Sequence, residues 1–366
     1  MEGDPEPGET VEILSSQGEW LGTGAYSPAS QIRARAWSFN PTETIDGEFF
    51  QRRINQAIRA RSAWYQEDTT DAYRLVYAES DGLPGLIVDR YGEVLVFQSL
   101  STGIERWKEV ILDILVQETG LKDVYERSDA DVRNLEGLSP RSGPTRGNPP
   151  TTTAIMENGL IFAANFQQGQ KTGHYLDQRE NHLRVRELAA NREVLDCFCY
   201  TGGFTVNALA GGAKSVLSID SSNTAITTCR KNISDNHLSQ EKHTALEGDV
   251  FQWLRKLRDE SRSFDLVILD PPKFAPTAAD IKKAARAYKD INLLGLKLLR
   301  PGGYLVTFSC SGGVNLGDFQ KFVAYAAIDA EAQVQIMETL TQPPDHPIAL
   351  NFPESAYLKG FICRKS

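Results

Sequence analysis

A chain of 366 residues exceeds one ordinary domain of roughly 100–200 residues, and its 41% hydrophobic and 24% charged residues suit a globular protein with a sizeable core. No run approaches the ~20 apolar residues of a membrane helix, and the polar start lacks the basic and apolar regions of a signal peptide, so no membrane partner and a cytoplasmic location are expected. A net charge of −9 excludes indiscriminate electrostatic binding of nucleic acid as the main function, while leaving room for local basic surfaces.

The odd count of 5 cysteines argues against a secreted disulfide framework. Cys197 and Cys199 form C-x-C, not C-x-x-C, and the histidines are scattered singly, so no structural metal is expected.

In chain order, residues 11–14, 20–22 and 31–37 have strand character, the last with Arg33 and Arg35 on one face. From Asp46 the pattern becomes helical, with Phe49, Phe50, Ile54 and Ile58 on the apolar side. Its polar side carries Arg52, Arg53, Arg59 and Arg61, either a solvated face or a surface toward RNA. Strands follow at 75–77, 86–89 and 94–97, then an amphipathic helix at 104–118 and a strand at 123–127. Residues 137–150, rich in Gly, Pro and Ser, are expected to be an irregular connection. Asn158-Gly159 between two apolar runs signals a hairpin.

From Val194 strands and helices alternate. Strands are expected at 194–198, 215–220, 244–247, 264–269 and 304–309. Helices are expected near 204–210, 223–236, 250–259, 281–299 and 316–330. Such a series implies an α/β fold with a mostly parallel, Rossmann-like sheet covered on both faces. Residues 334–340 and 356–364 are late strands able to close it with an antiparallel pair.

The first strand of that series runs into Asp196-Cys197-Phe198-Cys199-Tyr200-Thr201-Gly202-Gly203-Phe204, a tight glycine turn into a helix. Parallel sheets bind ligands at this edge, and glycine lets a backbone approach one closely. A dinucleotide site needs Gly-x-Gly-x-x-Gly to seat a pyrophosphate, and only Gly202-Gly203 is present. A ligand with ribose but no phosphate fits better, and S-adenosyl-L-methionine is the common one. Asp196 then serves its cationic amino end and Asp220, with Ser221, the ribose. Gly248 and Asp249 lie near the adenine, although Asp249 also suits a helix N-cap and Gly202 a plain helix start.

Asp270-Pro271-Pro272-Lys273-Phe274 follows the fourth strand as a rigid loop beside the cofactor. In N-methyltransferases a similar loop with an aromatic fourth residue holds an exocyclic amine; here that residue is Lys273. Phe308-Ser309-Cys310-Ser311-Gly312-Gly313 ends the fifth strand. Carbon 5 of a pyrimidine is too poor a nucleophile to take a methyl group directly, and a thiolate adding to carbon 6 makes it one. Cys310 is placed for that role, or is a small buried residue as free cysteines usually are. Three functions stay open on the residues alone: a carbon-5 methyltransferase, an N-methyltransferase using the Asp270 loop, and a non-catalytic RNA-binding protein.

Several runs together resemble the bacterial 23S ribosomal RNA cytosine-5 methyltransferases of the large subunit methyltransferase I family. They are Gly22-Thr23-Gly24-Ala25-Tyr26-Ser27-Pro28-Ala29-Ser30-Gln31-Ile32-Arg33, Glu79-Ser80-Asp81-Gly82-Leu83-Pro84-Gly85, Lys171-Thr172-Gly173-His174-Tyr175-Leu176-Asp177-Gln178-Arg179, the glycine turn, the Asp270 loop and the Cys310 loop. The resemblance covers most of the chain. It implies a partial PUA-like RNA-binding domain at 1–42, a linker helix at 43–70, an α+β middle domain at 71–165 and a methyltransferase domain at 166–366. It makes Cys310 the nucleophile, and Asp270 the residue that hydrogen-bonds the cytosine edge beside the cofactor. It places the segment 170–179, with Lys171, Thr172, Asp177 and Arg179, on the methionine side of the cofactor.

The implied partner is 23S ribosomal RNA, free or partly assembled because the target base must leave its stack. A homodimer is compatible with this reading. Arg33, Arg35, Arg52, Arg53, Lys282, Lys283, Arg286 and Lys289 are candidates for backbone contacts. Two departures stand out. The family's PUA domain begins some tens of residues earlier, so unpaired strand edges are expected here. The related uracil-5 enzymes carry a late acid that takes the carbon-5 proton; here Glu354, a water or Asp270 could serve.

Overall fold

The computed structural model describes residues 3–65, 68–274 and 281–366. The chain divides into two compact units. The first comprises Met1–Gly159, Ala163–Leu176 and Pro344–Ser355, and the second Leu160–Phe162, Asp177–Pro343 and Ala356–Ser366.

The first unit opens with β1 (Thr10–Leu14), β2 (Trp20–Tyr26) and β3 (Ala34–Ser38), an antiparallel sheet with β1 and β3 at its edges. The third strand starts three residues later than its alternation suggests. Ser27 N–H donates to the Arg33 carbonyl and Ser30 Oγ accepts from Ile32 N–H, which holds 31–33 in a turn. Helix α1 (Gly47–Ser62) begins where Asp46 accepts from Phe49 N–H as N-cap. Its buried stripe of Phe49, Phe50, Ile54 and Ala57 shares a core with Ala25 and Trp37 of the small sheet. Trp37 meets Phe50 edge-on, ring centroids 5.3 Å apart.

The polar side of α1 is not uniformly solvated. Arg61 is buried in a two-pronged ion pair with Asp81 (2.7 and 2.8 Å) and also donates to the Asp345 carbonyl. Arg52 and Arg53 both pair with Glu43.

Strands β4 (Ala72–Tyr77), β5 (Leu86–Tyr91), β6 (Val94–Ser99), β7 (Asp123–Ser128) and β8 (Arg141–Arg146) form a five-stranded sheet in that order. Helix α2 (Thr102–Thr119) links the parallel pair β6–β7, and α3 (Val132–Leu135) is a single turn. Strand β8 lies inside the segment expected to be irregular. It is an edge strand paired only with β7, where Pro144 costs no inner ladder bond and a register shift at Val124/Tyr125 absorbs the misfit. The hairpin β9 (Thr152–Glu157)–β10 (Leu160–Asn165) turns on Asn158 and Gly159, both at positive φ (49° and 76°), the twist a two-residue turn needs.

The second unit begins with α4 (Arg179–Leu188), a helix the sequence pattern did not announce. It continues β11 (Glu193–Cys197), α5 (Gly203–Ala210), β12 (Ser215–Asp220), α6 (Asn223–Asp235), β13 (His243–Glu247), α7 (Val250–Asp259) and β14 (Phe264–Leu269). It ends with α8 (Ile281–Leu298), β15 (Leu299–Ser309), α9 (Leu316–Asp329), β16 (Val334–Thr341) and β17 (Lys359–Lys365). The seven-stranded order is β13-β12-β11-β14-β15-β17-β16, with β17 antiparallel to both neighbours. This is the expected α/β sheet with its late antiparallel closure. The last strand starts at Lys359 rather than 356, because the N–H groups of Tyr357 and Leu358 donate to Gln342 Oε1 instead of to the ladder.

The central strands are buried on both faces, and Leu195, Val267 and Leu305 have no exposed surface. Each such side chain contributes about 1.5–3 kcal/mol. No helix among the described residues is long and apolar enough to cross a membrane.

Candidate active site

The parallel registers fix where the chemistry gathers. Cys197 of β11 lies level with Ile219 of β12 and Leu269 of β14, and Leu269 lies level with Thr307 of β15. Asp220 ends its strand one residue on, Asp270 follows its strand by one, and Cys310 follows its strand by one. All reach the same carboxyl edge of the sheet. Strand order reverses between β11 and β14, and such a switch point leaves a crevice for a ligand.

The turn after β11 is strained. Phe198 and Tyr200 both have positive φ (62° and 47°), a conformation that side chains with a Cβ rarely adopt. Tyr200 N–H donates to Asp220 Oδ2 at 2.9 Å, and Asn232 Nδ2 donates to the Thr201 carbonyl. These bonds hold the turn from two neighbouring elements. Both glycines are needed by the protein's own packing. A Cβ at Gly202 (φ 86°) would lie 2.4 Å from Cys229 Sγ, and one at Gly203 2.4 Å from His182 Nε2. Phe204 is buried, edge-on to His182 and stacked on Phe308 at 5.5 Å.

Asp196 has no exposed surface, and burial pushes its carboxyl up to about 8. Thr205 Oγ1 lies 2.6 Å from Asp196 Oδ2 and 2.6 Å from Ser218 Oγ, which meets His243 Nε2 at 3.0 Å. With Asp196 ionised, Thr205 donates to it, Ser218 donates to Thr205, and His243 carries its proton on Nε2. Asp196 Oδ1 has no partner among the described residues. An orphaned buried carboxylate oxygen beside the glycine turn fits an ammonium group of a ligand.

Asp220 is half-buried and accepts from Tyr200 N–H and from Ser222 N–H (2.8 Å). Ser221 is exposed beside it. Gly248 N–H donates to the Asp220 carbonyl, which brings the end of β13 to the same place. Asp249 is exposed and caps α7 through Gln252 N–H, the structural role weighed for it.

Asp177 is buried and accepts from Tyr357 OH, and Arg179 is buried at the start of α4. Lys171 and Thr172 belong to the first unit. There the Thr172 hydroxyl meets Asp89 Oδ2 at 2.6 Å and Tyr91 OH at 2.7 Å, and Lys171 Nζ sits over the Tyr175 ring. The Thr172 hydroxyl is thus engaged inside its own unit.

Cys310 is half-buried; the other four cysteines are buried. Its Sγ lies 3.8 Å from the carbonyl oxygen of Pro271 in the rigid two-proline loop. Asp270 Oδ2 accepts from Gln178 Nε2 at 2.9 Å, and Gln178 Oε1 accepts from Asn181 Nδ2. Tyr288 OH is 2.9 Å from both Ser309 Oγ and Ser311 Oγ, so one buried phenol ties down both neighbours of Cys310.

A profile for S-adenosylmethionine-dependent methyltransferases matches residues 141–364, and a PUA-like profile matches 1–39. The chain is 47% identical over 365 residues to Ribosomal RNA large subunit methyltransferase I of Escherichia coli, covering 100% of this chain and 92% of that protein. The chain belongs to this methyltransferase family. The protein of the same name from Klebsiella pneumoniae is also 47% identical, with 100% and 91% covered. A solved structure described as a SAM-dependent methyltransferase from Streptococcus mutans shares the fold at TM-score 0.86 and 22% identity, covering 100% of this chain and 93% of that one. Another methyltransferase structure, complexed with SAH, gives TM-score 0.86 at 23% identity, covering 99% and 92%. The cofactor of the family is S-adenosylmethionine, and the orphaned Asp196 oxygen and the Asp220 turn fit its amino and ribose ends.

The sequence pattern gave no role to Gln178, Thr205, Tyr288 or Lys359. Thr205 and Tyr288 look like ordinary helix residues until the sheet brings Asp196 and the Cys310 loop beside them. Gln178 lies in the segment 170–179 expected on the methionine side of the cofactor, and its bond to Asp270 was not foreseen. Lys359 carried a signal: it alternates with Phe361 and Cys363 along a strand, on a face where a charge is out of place.

Proposed function

We propose that this protein methylates carbon 5 of a cytosine in large-subunit ribosomal RNA through a covalent adduct of Cys310. The ribosomal RNA substrate is taken from the names of its relatives. The observation that carries the chemistry is the half-buried Cys310, its Sγ 3.8 Å from Pro271 O, one residue from Asp270, on the edge that also holds the cofactor turn. A nucleophile must be accessible, and Cys310 is the cysteine that is.

The Cys310 thiolate adds to carbon 6 of the ring, and the pyrimidine becomes nucleophilic at carbon 5. Asp270, held by Gln178, accepts from the cytosine amino edge and holds the ring with one face toward the thiolate. Bound S-adenosylmethionine supplies the electrophilic methyl group at carbon 5. Loss of the carbon-5 proton to a base then expels the thiolate and restores the ring. Asp196 would hold the amino end of the cofactor, Asp220 and the Tyr200-to-Phe204 turn its ribose, and Gly248 and Asp249 its adenine.

The test is incubation with labelled cofactor and ribosomal RNA from a methylation-deficient strain, followed by nucleoside mapping. The label should appear as 5-methylcytidine with wild type and vanish with Cys310→Ser. Label on a nitrogen, or full transfer by Cys310→Ser, would overturn the scheme.

A further inference from the structure

We propose that Lys359 is the positioning residue for Cys310: it holds the nucleophile loop in place and supplies the positive charge that favours the thiolate. The inference rests on the nucleophilic role of Cys310 proposed above.

Lys359 opens β17, level with Ser309 of β15 and Thr341 of β16. Strand alternation puts its side chain on the face of Phe361 and Cys363, both buried. Lys359 itself is only 7% exposed, and lysine is almost never buried unless paired. Its Nζ donates to the Ser311 carbonyl at 2.7 Å and the Val314 carbonyl at 2.5 Å. These two bonds staple the loop that begins at Cys310. Among the described residues no carboxylate lies within 4.0 Å of the ammonium.

Two neutral carbonyls satisfy two of its three donors and leave the charge without a counter-ion. An uncompensated buried charge costs several kcal/mol, so the site favours an anion nearby. The loop provides one candidate in the Cys310 thiolate. Burial lowers the Lys359 ammonium to about 8, and the charge of Cys310 raises it. The attraction is mutual, so the same ammonium stabilises the thiolate. Tyr288 faces the loop from α8, and burial raises its phenol, so it stays neutral at physiological pH and adds no charge. The ammonium is thus a cation beside this thiol near neutrality, and it fades as pH rises through about 8.

The role can be tested by the pH dependence of Cys310 alkylation with iodoacetamide, mapped by peptide mass spectrometry on the full chain without RNA. Lys359→Gln keeps a donor and loses the charge; Lys359→Arg keeps the charge. The Gln variant should alkylate about tenfold more slowly at pH 7, with its midpoint moved to higher pH, while the Arg variant stays within about threefold of wild type. Methyl transfer should fall in kcat more than in KM for the Gln variant. An alkylation profile identical to wild type in a folded Gln variant would overturn the inference. Should both variants fail to fold, the wild-type profile decides. A midpoint below the ~8.5 of a free thiol supports the role, and one at or above it contradicts it. Alkylation does not depend on cytosine chemistry. An active Cys310→Ser therefore sinks the nucleophile reading alone, and an unmoved thiol profile sinks the Lys359 role alone.

Discussion

The Cys310 sulfur lies 3.8 Å from the carbonyl oxygen of Pro271, so the loop after β15 and the loop after β14 meet at one point. A proline carbonyl in a stiff loop positions the thiol without burying it. Replacing the sulfur changes little packing, because Cys310 is half-buried, so stability should move by less than about 0.5 kcal/mol. Cys310→Ala should therefore bind cofactor within about threefold of wild type and lose at least about a thousandfold in methyl transfer. Calorimetry and single-turnover assays check the two halves separately.

Asp196 predicts a pH signature. Burial raises its carboxyl to about 8, whereas the unfolded chain ionises it near ~3.9. Between those values the folded chain holds a proton that the unfolded chain has released. This contribution is fully present below about 4 and is lost as pH rises through about 8. Asp196→Asn should abolish this slope in ligand-free protein and stabilise it at pH 7, by at most about 4 kcal/mol. Urea titrations across pH 5–9 measure it.

In the proposed cofactor placement the same group meets the ligand's amino end. A ligand ammonium at Asp196 Oδ1 favours the carboxylate, so binding below pH 8 should release a proton and tighten as pH rises toward 8. Calorimetry in two buffers of different ionisation enthalpy reads the proton count. Asp196→Asn should remove that release and weaken binding roughly tenfold or more.

Asp270 accepts from Gln178 Nε2 at 2.9 Å, which fixes the carboxylate at the edge where the proposed reaction places the base. Asp270→Asn turns an acceptor toward the cytosine amine into a donor. It should lower kcat by about a hundredfold or more, and Gln178→Ala by less, with KM for RNA little changed in either. Steady-state kinetics separates the two parameters.

Charge at the start of α8 differs from charge elsewhere. Lys282, Lys283 and Arg286 are exposed and have no ion pair among the described residues, whereas Lys289 pairs with Asp329 at 2.6 Å and Arg35 with Glu136 at 3.0 Å. The triple alanine variant of the first three should reduce the slope of log Kd against log salt by about 2 for single-stranded RNA. Lys289→Ala should leave it near wild type. Filter binding at several salt concentrations distinguishes them.

The parallel sheet was legible because its strands are continuous apolar runs and its helices carry clean periodicity, as with α7, which spans the expected residues 250–259. The placement of Asp196, Asp220, Asp270 and Cys310 at one edge of the sheet was legible because each lies at, or within one residue of, a strand end that the pattern marks. What stayed hidden depends on partners distant in sequence. Strand β8 needs β7 to offset Pro144, and α4 starts at Arg179 after a short 3-10 turn at Leu176–Gln178 with no side-chain cap to announce it. Arg61 looks like part of a solvated face until Asp81 and the Asp345 carbonyl enclose it.

The covalent step is the central claim, and RNA carrying 5-fluorocytidine tests it most directly. Fluorine replaces the proton that must leave carbon 5, so an adduct formed through carbon 6 cannot resolve. With cofactor present, wild-type protein should yield a denaturation-resistant protein–RNA species whose peptide map places the link on Cys310, and Cys310→Ala should yield none. Methyl transfer to the natural RNA with no such species on the fluorinated RNA, or a link at another residue, would contradict the account.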